Sequence, residues 1–205
     1  MTITNGYCTL AQLQDETGVT AAAEATRMEL AIAAASRQID GFCDRRFWQD
    51  GSVVARQYWA DDTRTLYVDD ISTVTGLIVA TDDADLGTFS TTLTINTDFI
   101  LLEPNAADRV PAWPYTQIRI VNSSYGFPMS GSGRPGVQVT AKFGWPAIPD
   151  DVTKACIIQS LQLWKAKDAL FGGLSFGDAG FMRVQGALNP LAGALVAAYR
   201  KPPIG

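Results

Sequence analysis

The residues in this chain best placed to do chemistry are paired aspartates: Asp61 with Asp62, Asp69 with Asp70, Asp82 with Asp83 and Asp85, and Asp150 with Asp151. Neighbouring carboxylates can divide acid and base roles, or hold Mg²⁺ or Ca²⁺ through oxygen ligands. Each pair, however, stands between β-rich runs or just ahead of a helical run, where aspartate is the ordinary turn and cap residue. The chain contains no histidine. That removes the commonest general base and the commonest zinc ligand together. Cys8, Cys43 and Cys156 lack the CxxC spacing of a structural zinc site and read as free buried thiols of a reducing compartment. The expectation is a protein with no catalytic residue, no metal site and no cofactor, and not an enzyme.

Three other patterns bear on ligands. Gly131, Gly133 and Gly136 spell GxGxxG, but a dinucleotide site needs a helix after that turn, and the alternating run VQVTAKF follows instead. The expected structure is a flexible loop. The aromatics Phe47, Trp48, Tyr58, Trp59, Trp113, Tyr115, Tyr125, Phe127, Phe143 and Trp145 could stack on bases or sugars. They lie in or beside predicted strands with few basic neighbours, so most are expected in cores. The stretch FGGLSFGDAGF (171–181) reads as a glycine-rich loop whose Phe171, Phe176 and Phe181 either fold back onto the chain's own core or offer apolar surface to a partner.

The elements that must hold these residues are legible from periodicity. In the stretch 28–48, Met28, Ile32, Ala35, Ile39, Phe42 and Cys43 recur at steps of three and four, the mark of a helix with one apolar face. Burying Met28, Ile32, Ile39 and Phe42 contributes about 1.5–3 kcal/mol each before entropy. The seam needs a partner, which the apolar run 152–171 can supply. Thr9 and Gln12 have capping-box spacing for a short helix over 10–16, with Gly18 as its stop. Asn189 followed by Pro190 opens a last helix with Leu191, Leu195, Val196 and Tyr199 on its apolar side and Arg200 at its end. Between these lie short β-rich runs at 53–60, 65–68, 76–81, 91–95, 99–102, 117–122 and 137–143, separated by aspartate- and proline-bearing turns. A small antiparallel sheet, sandwich or barrel fits that middle region. The fold class is therefore α+β: a helical core of about four helices, contributed by residues 1–50 and 147–205, with an antiparallel β lobe inserted at 51–146.

Composition narrows the partners. A content of 47% hydrophobic and 18% charged residues is that of a folded chain. The formal net charge of −5 argues against a protein that grips nucleic acid by neutralising phosphates. No apolar run reaches the roughly 18 residues a membrane span needs, and the first residues do not read as a secretion signal.

Six stretches in order, AASRQIDGFCDRRF (34–47), LYVDDISTVTGLIVATD (66–82), TDFILLEPNA (97–106), VQVTAKFGWPAIPDDV (137–152), the glycine-phenylalanine stretch and AAYRK (197–201), resemble the head-to-tail adaptors, or head-completion connectors, of long-tailed bacteriophages. The resemblance implies a non-enzymatic structural protein of the virion neck. It would assemble in the host cytoplasm as a homo-oligomeric ring of twelve copies beneath the portal protein and extend the DNA channel toward a stopper or other tail protein. DNA would pass without specific binding. It also makes the terminal segment, with Leu191, Leu195, Val196, Tyr199 and Arg200, the candidate for portal docking. Two alternatives stay open: a stopper or tail-terminator ring of the same neck, and a carbohydrate- or small-ligand-binding β module.

Overall fold

The computed structural model describes residues 3–60, 62–129, 131 and 133–166, the backbone of 173–175 and 181–183, and residues 188–201. The fold is α+β and divides into two compact units. One comprises Met1–Phe47 with Ile148–Gly205, the other Trp48–Ala147.

The helical unit contains α1 (Leu10–Thr17), α2 (Ala22–Cys43), α3 (Asp150–Lys165) and α4 (Pro190–Val196), which a 3₁₀ turn at Ala197–Tyr199 extends. Thr9 caps α1 through the box with Gln12, and Gly18 ends it at φ 67°, a left-handed conformation that costs glycine nothing. α2 begins at Ala21 with no side-chain cap and stops at Cys43, where Asp44 turns left-handed at φ 52°. Met28, Ile32 and Ile39 are fully buried along α2, against α3. Phe42, the fourth residue expected in that seam, is half-buried, with the Arg200 guanidinium over its ring. At the start of α3, Pro149 takes the cap position and both Asp150 and Asp151 fall in the first turn, where their charge suits the helix dipole.

The β unit is an open antiparallel sheet of six strands: β1 (Val54–Tyr58), β2 (Thr65–Thr81), β3 (Thr91–Leu93), β4 (Phe99–Leu101), β5 (Tyr115–Ile120) and β6 (Val137–Phe143). The order is β1-β6-β2-β5-β4, with β3 beside the far end of β2. β6 shows strict alternation: Val137, Val139, Ala141 and Phe143 are fully buried, whereas Gln138, Thr140 and Lys142 are not. β2 is the spine. Its first part pairs with β5, and its later part lies between β6 and β3, with register shifts that let one strand of 17 residues bend through both ladders.

Two expectations are corrected here. The aspartates at 69–70 do not separate two strands; they lie inside β2. Asp70 is buried and accepts a hydrogen bond from Trp145 Nε1 at 3.2 Å, while Asp69 accepts from Arg56 at 2.6 Å and Tyr58 at 3.0 Å. Paired carboxylates bonded to residues remote in sequence have no need of a turn. The glycine-phenylalanine stretch is not a plain loop either, because β7 (Gly173–Ser175) and β8 (Phe181–Arg183) pair antiparallel. Of the three phenylalanines there, Phe171 and Phe176 and the side chain of Phe181 lie outside the described residues.

Candidate docking surface

The five candidate docking residues separate into two groups. Leu191 is 61% exposed, Leu195 is half-buried and Arg200 is exposed, whereas Val196 and Tyr199 are buried. Asn189 Oδ1 accepts the Leu191 N–H at 2.9 Å, and Pro190 occupies the first helical position, so this end is fixed locally by its own sequence. The other end is fixed by the unit around it. The Tyr199 ring meets Phe47 edge-on with centroids 5.8 Å apart, and its hydroxyl donates to Asp151 at 3.1 Å. Burial, helped by that carboxylate, pushes the Tyr199 hydroxyl up to about 12. The Lys201 N–H donates to the Cys43 carbonyl at 2.8 Å, and the Arg200 guanidinium lies 5.1 Å from the Phe42 ring centroid. Val196 and Tyr199 are therefore removed from the docking set, since their apolar surface is already spent on the helical unit's own core. α4 packs within that unit, and of the five candidates Leu191, Leu195 and Arg200 keep surface open to solvent.

Beneath α4 the helical unit has a polar interior that periodicity did not reveal. Gln159 is fully buried; its Nε2 donates to Gln38 at 2.7 Å and its Oε1 accepts the Asn189 N–H at 2.8 Å, tying α2, α3 and the start of α4 together. Near the first residues, the Tyr7 hydroxyl donates to Asp40 and accepts the Phe47 N–H at 2.8 Å. Burial, together with that bond to Asp40, pushes the Tyr7 hydroxyl well above the usual tyrosine range; burial also raises the Asp40 carboxyl, against the opposing effects of Tyr7 and Arg37. Cys8 Sγ lies 3.4 Å from Cys156 Sγ in the same interior. A step of three or four flags only the apolar members of a helix face, and so gives no sign of the buried Gln159 and Ser36.

Of the carboxylates that opened the question of chemistry, Asp62, Asp69, Asp70, Asp82, Asp83 and Asp151 serve as structural acceptors, and Asp61 lies outside the described residues. Asp62 takes the Arg64 N–H at 3.0 Å. Asp82 takes the N–H groups of Leu86 at 3.1 Å and Gly87 at 2.5 Å, while Asp83 takes the hydroxyls of Thr81 at 2.9 Å and Thr91 at 2.6 Å. Among the described residues no three His, Cys, Asp or Glu side chains are grouped so as to hold a metal ion. Around the glycine triplet, the Gly133 carbonyl accepts Trp59 Nε1 at 3.1 Å and the Gly136 carbonyl accepts the Asp82 N–H at 2.9 Å; β6 follows directly, so no helix N-terminus faces a phosphate. Of the ten aromatics considered for stacking, Phe47, Tyr115, Phe127, Phe143 and Trp145 are buried and only Trp59 and Tyr125 are exposed. Two exposed rings do not make a platform for successive bases or sugars.

No family model matches this chain, and no curated protein matches its sequence. Solved structures do share its fold. A chain in the neck of an empty gene transfer agent particle, computed with C6 symmetry, superposes with a TM-score of 0.57 at 17% identity, covering 100% of this chain and 94% of that one. A chain of the native gene transfer agent virion gives 0.51 at 18% identity, and one from the native neck computed with C12 symmetry gives 0.51 at 20%, each over 100% of this chain and 94% of the other. At these identities the likeness is one of fold, and it extends over both units.

Proposed function

We propose that this chain is a structural protein of the neck of a phage-like particle, and within the neck the head-to-tail adaptor. Copies form a ring, twelve in number, that seats beneath the portal protein, extends the DNA channel and presents a surface to the stopper or next tail protein. The observation that supports this reading is the end-to-end fold likeness to chains of gene transfer agent necks, 100% of this chain against 94% of theirs. A shared β lobe alone would leave room for a ligand-binding module; coverage of the helical unit as well favours an assembly subunit. The acidic balance of the chain suits a conduit, because a basic lumen would hold the phosphates that have to slide through it. A ring demands a heterologous contact, one face of each subunit fitting a different face of the next.

The test is electron microscopy of the purified chain, alone and mixed with the portal ring of its own particle. Coaxial rings on the portal are expected. Attachment only to a later neck component would move the chain to the stopper position, and attachment to neither would overturn the neck reading. In the same assay Leu191→Glu combined with Arg200→Glu should weaken portal attachment at least tenfold while the thermal midpoint stays within a few degrees, since neither side chain is buried. Undiminished attachment would remove α4 from the docking surface.

A further inference from the structure

Cys8 and Cys156 are 148 positions apart in sequence, yet their sulfurs are 3.4 Å apart in the interior of the helical unit. Both are free thiols, with Cys8 4% exposed and Cys156 fully buried. Cys156 is held on α3 among polar atoms: Ser36 Oγ lies 3.4 Å and Ser160 Oγ 3.8 Å from its sulfur. Cys8 lies outside any helix, two residues ahead of α1, where Tyr7 N–H donates to Ser36 Oγ at 3.1 Å. A disulfide needs an S–S distance of about 2.05 Å, so closure asks for an approach of about 1.3 Å. Side-chain torsion and a small shift of a non-helical segment can supply it. Cys43 is the built-in control, because its thiol donates to the Val196 carbonyl at 3.6 Å and burial pushes it up to about 11.

We infer that Cys8 and Cys156 form a redox-active dithiol, which a small-molecule disulfide of the glutathione type converts to an intramolecular bridge pinning the segment before α1 to α3. The step balances by exchange. The Cys156 thiolate attacks one sulfur of the small disulfide, whose S–S bond breaks and releases one thiolate, which takes up the proton Cys156 gave up. The Cys8 thiolate then attacks Cys156 sulfur in the mixed disulfide, forms the protein S–S bond and expels the second small thiolate, which takes up the Cys8 proton. Two protein thiols are oxidised and one disulfide is reduced to two thiols. The roles follow from geometry: Ser36 Oγ and Ser160 Oγ, 3.4 and 3.8 Å from the Cys156 sulfur, stay beside it when the Cys8 segment opens and can donate to its thiolate, whereas Cys8 sits on the segment that moves and returns as the resolving thiol. Access runs through local opening of the short segment that carries Cys8, not through global unfolding. For a particle built in a reducing cell and released into an oxidising medium, such a bridge would form after assembly.

The experiment needs no partner and so stands apart from the neck reading. The full-length chain is equilibrated with oxidised glutathione or with dithiothreitol. Thiols are then alkylated under denaturing conditions, peptides are mapped by mass spectrometry and thermal midpoints are compared. The expected result is loss of two of the three thiols, a linked Cys8–Cys156 peptide, Cys43 still alkylated, and a midpoint raised by roughly 10 °C for so long a closed loop. Cys43→Ala should respond as the parent does, and Cys8→Ala should lose the bridge. Three thiols surviving oxidation, a linked peptide containing Cys43, stable glutathione capping without the bridge, or a bridge that leaves the midpoint unmoved would each overturn the inference.

Discussion

Adding one methyl group at each of two glycines should move stability in opposite directions. Gly144 follows β6 with φ +110°, a conformation that side chains rarely adopt, and a Cβ there would stand 2.0 Å from the Trp48 carbonyl oxygen, 2.8 Å from its carbon and 3.0 Å from Gln49 Cα. All three neighbours are backbone, so nothing can rotate away. Relieving the contact means pushing the chain at 48–49 back by more than about 1 Å. That strains the adjoining Asp50 N–H to Phe143 carbonyl bond, 2.8 Å, and the Gly144 N–H to Asp70 carbonyl bond, 2.7 Å. Backbone strain of about 1–3 kcal/mol, with two hydrogen bonds at about 0.5–1.5 kcal/mol each, puts the cost of Gly144→Ala at about 2–6 kcal/mol. Gly41, inside α2, has nothing within 4 Å of an added Cβ and an ordinary helical backbone, so Gly41→Ala should stabilise by about 0.5–1 kcal/mol. Urea titrations read by tryptophan fluorescence for the β unit and by far-ultraviolet circular dichroism for the helices would separate the two. A Gly144→Ala protein within about 1 kcal/mol of the parent, with unchanged slope, would refute the close-approach reasoning.

Two further outcomes follow from packing and charge. Ile39→Asp places an unpaired carboxylate at a fully buried point of the α2–α3 seam and should cost about 3–5 kcal/mol, melting the helical signal; a cooperative mutant with an unchanged midpoint would mean that face is open to water. Asp98 accepts the Thr94 N–H at 2.8 Å and Asn122 Nδ2 at 2.8 Å, and these bonds hold its carboxyl below the usual carboxylate range. Its folded value lies under its unfolded one of about 3.9, so its contribution is complete above that pH and lost as pH falls through the folded value. Asp98→Ala should therefore lower the midpoint at pH 7 and flatten the acid limb of the stability curve; an acid limb identical to the parent's would discard the assignment.

What could be read from the sequence follows the range of the forces involved. Thr9 with Gln12, Gly18, and Asn189 with Pro190 act on backbone groups within four residues, and the capping bonds form as their spacing predicts. β6 also declares itself, because alternation repeats inside a single strand. The aspartates at 69–70 misled because the partners that bond them, Trp145, Arg56 and Tyr58, are 75, 13 and 11 positions away. For α4, periodicity located the apolar side but could not say whether that side meets the same chain or another; Val196 and Tyr199 meet the same chain. The juxtaposition of Cys8 and Cys156 left no trace in spacing at all. Only the docking of the segment before α1 against α2 and α3 creates it.

The order in which the helical unit's parts occur along the chain sets a schedule for its birth on the ribosome. The β unit is one continuous segment and can close as soon as residue 147 has emerged, whereas α2 ends at Cys43 and its partner α3 is complete only at Lys165. At about 5–20 residues per second, the apolar face of α2 waits on the order of 6–25 seconds for α3 to be synthesised. During that interval Met28, Ile32 and Ile39 have no α3 to cover them, and a nascent chain with such a face open is a natural client for a holding chaperone. Transposing the first helices to a point just after residue 147 would bring the seam partners together in time, and with it shorten the period in which the chain is prone to aggregate.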